Sequence, residues 1–84
     1  ITDYHKMTLE LISAHEILFK GQAVAVTLPG ELGSFTVLNN HAPIISVLVA
    51  GKVTYRTPDD AVKSIDIKGG IADVKDNVVS VCVY

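Results

Sequence analysis

The stretch DNVVSVCVY, Asp76 to Tyr84, reads as a two-residue turn running straight into a strand. Aspartate and asparagine tolerate the positive φ that a two-residue hairpin loop demands. Beyond them Val79, Val81 and Val83 alternate with Ser80 and Cys82, a period of two that only an extended chain turns into two faces. Valine is branched at Cβ, which suits a pleated strand better than a helix.

The same pattern extends toward the N-terminus. Leu9 and Leu11 alternate with Thr8 and Glu10, and Val24, Val26 and Leu28 with Ala23, Ala25 and Thr27. Val53 and Tyr55 alternate with Lys52, Thr54 and Arg56, while Ile65 and Ile67 flank Asp66. No window sustains a helical period. Turn formers separate the runs at hairpin spacing: Gly21, Pro29-Gly30, Gly33, Asn39-Asn40, Gly51, Pro58-Asp59-Asp60 and Gly69-Gly70. Asp59 or Asp60 competes as the cap of a short helix through Ser64, but Val62 and Ile65 fit a strand. The pattern predicts an all-β fold, a flattened two-sheet β-sandwich of about ten short strands. That domain covers residues 7–84; residues 1–6, ITDYHK, lack the alternation and read as a tail.

Two strands carry too many apolar residues. IISVLV, residues 44–49, is apolar on both faces, and VVSVCVY, residues 78–84, is similar. An antiparallel sheet in a sandwich has one solvated face. The surplus is explained by a neighbouring loop folded over a sheet edge, or by a partner covering an outer face.

At 84 residues the chain holds one domain with a small core. The net charge is −2 and the seven Lys and Arg are scattered, which argues against a nucleic-acid footprint. The lone Cys82 forms no internal disulfide, so a reducing compartment, by default the cytosol, is expected. No apolar run approaches the ~20 residues of a membrane span, and the N-terminus has no signal-peptide pattern.

Catalytic chemistry is not legible. There is no Gly-x-Ser-x-Gly elbow, and His41 beside Pro43 reads as a turn residue. His5, His15 and His41 lack metal-ligand spacing, and Asp59-Asp60 lacks the further oxygens of a calcium loop. Gly-Glu-Leu-Gly at 30–33 has the outline of a backbone clamp for nucleic acid without that module's helices and basic surface. Gly69-Gly70 has no helix N-terminus after it to hold phosphate. Cys82 reads as a small core residue. No cofactor is expected. From the residues alone, a free-standing β-sandwich that binds a peptide or small ligand remains open.

Four motifs in order narrow this: LELISAHEILFKG (9–21), VTLPG (26–30), GSFTVLNNHAPII (33–45) and KGGIADVKDNVVSVCV (68–83). Together they strongly resemble the N-terminal β-sandwich domain of the epsilon subunit of bacterial F-type ATP synthases. The middle stretch of that family reads T-L-P-G-x-E-G-E-F-G-V-L-P-G-H-A-P, against T-L-P-G-E-L-G-S-F-T-V-L-N-N-H-A-P here. The resemblance implies a non-catalytic central-stalk subunit that joins the gamma subunit to the c-ring. It would lie peripherally at the cytoplasmic face of a bacterial inner membrane. His41 is then a positioning residue in a turn, with Asn39-Asn40 standing where the family has Pro-Gly. By resemblance, Glu31, Leu32, Ser34, His41, Ala42 and Pro43 are candidate c-ring contacts. Ser13 and His41 are candidate gamma contacts, joined by Ile44, Ile45, Val47, Val79 and Val81 from the doubly apolar strands. Two departures stand out. Leu32 and Ser34 replace acidic residues of the family loop, leaving Glu31. The family's two-helix C-terminal domain would begin beyond Tyr84, so its inhibitory and ATP-binding roles are not assigned to this chain.

Overall fold

The computed structural model describes residues 7–84 and consists there of nine strands with no helix. The expected tail, residues 1–6, lies outside the described residues. In chain order the strands are β1 Met7–Ile12, β2 Ile17–Ala23, β3 Ala25–Gly30, β4 Gly33–Val37, β5 Ile44–Leu48, β6 Gly51–Arg56, β7 Val62–Ile67, β8 Gly70–Lys75 and β9 Val78–Val83.

Two layers follow from the pairing. One is β2-β1-β9-β8-β5, in which β1 and β9 run parallel and every other pair antiparallel. The other is β4-β3-β6-β7, antiparallel throughout. They meet where Gly30 of β3 pairs with Leu48 of β5, so the sandwich is one curled ladder. The expected flattened sandwich is therefore present, with nine strands among the described residues.

The alternation explains the core. Met7, Leu9, Leu11, Ala72, Val74, Val79, Val81 and Val83 face inward from the first layer, and Val26, Leu28, Val37, Val53, Tyr55 and Ile67 from the second. Burying a valine or leucine fully is worth about 1.5–3 kcal/mol relative to leaving it in water, so this set carries the fold. Phe19 and Tyr55 meet across the layers with ring centroids 4.6 Å apart.

Turn chemistry fixes the register. Asp76 and Asn77 both take positive φ (53° and 61°), the conformation of the tightest hairpin turns. Asn40 (63°) and Asp60 (71°) are also left-handed. The segment offered as a helix cap is instead a turn, closed by Asp60 N–H donating to Thr57 O (2.9 Å) and leading into β7. Gly70 has a steric reason to be glycine: a Cβ there would lie 2.2 Å from Cys82 O on the neighbouring strand.

The structure corrects several expectations. Val79 and Val81 are fully buried, because β9 turns that phase into the core, so neither can meet a partner. Cys82 has the opposite phase and is exposed; its position in the alternation overrides its preference for burial. Val24 does not continue the run through Val26. It sits at the corner between layers, its N–H donating to Arg56 O (2.8 Å), and the alternation restarts with Ala23 already inside.

Candidate functional site

The outer face of the first layer carries the surplus apolar residues. Reading the register across strands, Ile12 lies beside Cys82, Cys82 beside Ile71, and Ile71 beside Val47. A row of apolar side chains thus crosses four strands at right angles to the chain. Ile17, 61% exposed, extends it onto β2 past a bulge. Ile71 and Val47 are 52% and 50% exposed, and Ile45, one step along β5, is 73% exposed. The next row is polar: Lys20, Glu10, Ser80 and Asp73 in register, ending at Ile45. Within it Lys20 Nζ stands 3.8 Å from a Glu10 carboxylate oxygen.

The predicted contact residues fall into three places. Ile45 and Val47 lie on this outer face, while Ile44 has the opposite phase, shared with buried Leu48 and paired with buried Val74, and is 38% exposed. Ser13 and His41 stand at opposite ends of the layer. Ser13 follows β1, next to the end of β9, and holds the β1–β2 turn, its Oγ accepting from Glu16 N (3.2 Å). His41 precedes β5, beside the β8–β9 hairpin.

The c-ring candidates come from two loops. Glu31, Leu32 and Ser34 belong to the β3–β4 hairpin, whereas His41, Ala42 and Pro43 lie in the β4–β5 connection. Most of β4 lies between them in the chain, yet the start of β5 brings Ile44, next to Pro43, into one groove with Leu32 and Ser34. What the structure brings together is the hairpin and β5. Glu31 N–H donates to Val47 O (2.8 Å), and a groove of about 510 Å³ between them is lined by Glu31, Leu32, Ser34, Phe35, Ile45 and Val47 among others. Leu32 at the tip is fully exposed.

The His41 turn is tied differently. His41 N–H donates to Leu38 O (3.2 Å), and its ring Nδ1 lies 2.7 Å from Ala42 O, so the imidazole is engaged by its own turn. Among the described residues no group of three His, Cys, Asp or Glu is placed to hold a metal ion. Two pKa shifts stand out, both away from these contacts. Desolvation pushes the Tyr55 hydroxyl above its usual range. The hydrogen bond from Thr57 holds the exposed Asp59 carboxyl below its usual range.

Sequence reasoning missed Ile71, Ile12, Ile17 and Cys82 as outer-face residues. The signal for Ile71 was available: it shares a phase with Asp73 and Lys75, while Ala72 and Val74 face inward. An apolar residue in the charged phase of a strand marks an apolar patch on the surface.

Residues 6–84 match the family described as ATP synthase, Delta/Epsilon chain, beta-sandwich domain. The chain is 39% identical over 77 residues to the ATP synthase epsilon chain of Leptospira borgpetersenii, covering 92% of this chain and 60% of that protein. It is 37% identical over 78 residues to the ATP synthase epsilon chain of Sulfurimonas denitrificans, covering 93% of this chain and 60% of that one. The chain thus spans about three fifths of the length of these relatives. Among solved structures, a chain of the Euglena gracilis mitochondrial ATP synthase, in a complex of OSCP, F1 and c-ring, superposes with a TM-score of 0.89. It is 23% identical, and the match covers 94% of this chain and 51% of that one, a likeness of fold.

Proposed function

The chain belongs to the β-sandwich family of ATP synthase delta and epsilon chains, and from that premise we propose that it is a non-catalytic central-stalk element. In this reading it links the gamma subunit to the c-ring and helps couple ion flow to ATP synthesis, with catalysis on other chains. It would reside peripherally at the cytoplasmic face of a bacterial membrane, held there by the complex.

The observation that carries the reading is the match over residues 6–84. The apolar row across the outer face supports it, because a torque-bearing joint needs a broad contact and stable interfaces bury roughly 1,200–2,000 Å². We assign that face, with Ile45, Val47 and Ile71 at its centre and Ser13 and His41 at its ends, to gamma. The β3–β4 hairpin, with Glu31, Leu32 and Ser34, is assigned to the c-ring. Ala42 and Pro43 go with His41, which they follow in the β4–β5 connection.

The test is assembly with gamma and the c-ring in inverted membrane vesicles. Ile71→Asp and His41→Glu should leave the isolated fold intact and weaken gamma binding and proton-coupled ATP synthesis. Glu31→Lys should weaken c-ring attachment, an effect that fades as salt screens the charge. Normal assembly and coupling by all three variants would refute the placement.

A further inference from the structure

Two turns at one end of the sandwich are joined by a single side chain. Asn40 N–H donates to Asn77 Oδ1 at 2.5 Å, and Asn77 Nδ2 donates back to Asn40 Oδ1 at 3.3 Å. The partners are 37 positions apart in the chain, in different turns, and both have left-handed backbones. Asn77 also anchors a third element, because its backbone oxygen accepts from Thr8 N–H of β1 (2.9 Å). Asn40 directly precedes His41, and a groove of about 400 Å³ between the turns is lined by Asn40, His41, Pro43, Asp76 and Asn77.

We infer that Asn77 is a positioning residue for the Asn40–Pro43 turn, so that a side chain of the β8–β9 hairpin sets how His41 is presented to a partner. The functional half of this rests on the proposal that the His41 turn belongs to the gamma-facing surface. The physical argument is geometric. None of the four side chains of the Asn40–Pro43 turn is buried, and a surface connection of this kind is mobile unless its backbone groups are tied down. The reciprocal amide pair ties it to a hairpin that is itself fixed by ladder bonds on both sides.

The test separates the side chain from the backbone. Asn77→Ala would strain a residue at φ 61°, so Asn77→Gly is the cleaner variant: it accepts that φ and removes both side-chain partners. Asn77→Asp keeps an acceptor for Asn40 N–H, and the Asn40 amide can rotate to donate to the new carboxylate. Amide exchange and chemical shifts are read by NMR on the full chain. In Asn77→Gly the Asn40 amide should exchange about tenfold faster, the worth of one hydrogen bond, and shift upfield, with β8 and β9 amides unchanged. Asn77→Asp should retain most of the protection. Unchanged exchange at Asn40 in Asn77→Gly, or equal loss in both variants, overturns the positioning role. Binding to purified gamma subunit gives the second readout, in which Asn77→Gly should bind several-fold more weakly than Asn77→Asp. If exchange responds as expected but Asn77→Gly and His41→Glu both bind gamma normally, the contact reading of this turn fails and the functional half of the inference falls with it.

Discussion

The same substitution on the two faces of the first layer should have opposite consequences. Val81 is fully buried, in register with Leu11 on one side and Ala72 on the other, while Val47 is 50% exposed beside Ile71. Val81→Ala removes two buried carbons, worth about 1.6 kcal/mol at ~0.8 kcal/mol each. A residual cavity of roughly 40 Å³ at ~24 cal/mol per Å³ adds about 1 kcal/mol, for a total near 2.5 kcal/mol. For a domain of this size that lowers Tm by roughly 10–20 °C. A domain stable by about 4–13 kcal/mol remains mostly folded at room temperature after such a loss. Val47→Ala forfeits about half the transfer term and opens no cavity, so about 0.8 kcal/mol or less is expected. Urea titration of both variants, with unchanged m-values as a control, measures the difference directly. Against gamma the order should invert, Val47→Ala weakening binding and Val81→Ala leaving it near normal when folded. If Val47→Ala costs as much stability as Val81→Ala, the inward and outward assignment of these strands is wrong.

Gly70→Ala should lower Tm by roughly 5–20 °C, the range expected for about 1–3 kcal/mol of overpacking. The added Cβ would meet backbone atoms of β9, Cys82 O at 2.2 Å and Val83 Cα at 3.0 Å, which cannot swing aside as a side chain would. Tyr55→Phe should flatten the alkaline limb of the stability curve, read as Tm from pH 8 to about 11.5. The hydroxyl's folded pKa is raised by desolvation, so its contribution is intact below the ordinary value of about 10 and is lost as pH rises through the folded value. Equal slopes for Tyr55→Phe and the parent chain would show that another group sets that limb.

How much of this was legible in the sequence depends on what kind of signal each residue carried. Asp76-Asn77 was readable because only a few residue types accept two successive left-handed conformations, and the structure places both there. The surplus of IISVLV was readable because period two puts Ile45 and Val47 on the face opposite Leu48, whichever face is inward. Cys82 misled because residue type and phase disagree there. Cysteine favours burial, but Val79, Val81 and Val83 already claim the inward phase, and a strand cannot turn one residue over without a bulge. The candidate zone from Glu31 to Pro43 was legible only as two loops. SFTVL between them reads as a strand, which makes the hairpin and the His41 turn separate elements. Sequence reading does not show that β5 brings Ile44 into one groove with Leu32 and Ser34. The Asn40–Asn77 pair was beyond sequence reading altogether, since nothing local links two turns 37 residues apart.

The seating of the β3–β4 hairpin against β5 also bears on how a stalk element of this kind would carry load. Under the proposed reading, force enters at the exposed Leu32 of the β3–β4 hairpin and leaves through the outer face. Those two regions adjoin. Glu31 N–H is bonded to Val47 O at 2.8 Å, and Val49 N–H to Pro29 O at 2.9 Å, so the hairpin base is pinned to β5 on both sides of the Gly30–Leu48 junction. From Val47 the apolar row passes through Ile71 and Cys82 to Ile12, each step crossing a strand pair joined by ladder hydrogen bonds. A row at right angles to the strands spreads a load over four of them, whereas a patch along one strand would concentrate it on a single edge. The layer is also backed by an apolar core in which, among the described residues, no charged side chain is buried. The His41 end lies outside this short path, at the far end of β5. Its tie is the Asn40–Asn77 amide pair, whereas the hairpin end is held by backbone bonds and by Ser34 Oγ donating to Leu28 O (3.3 Å).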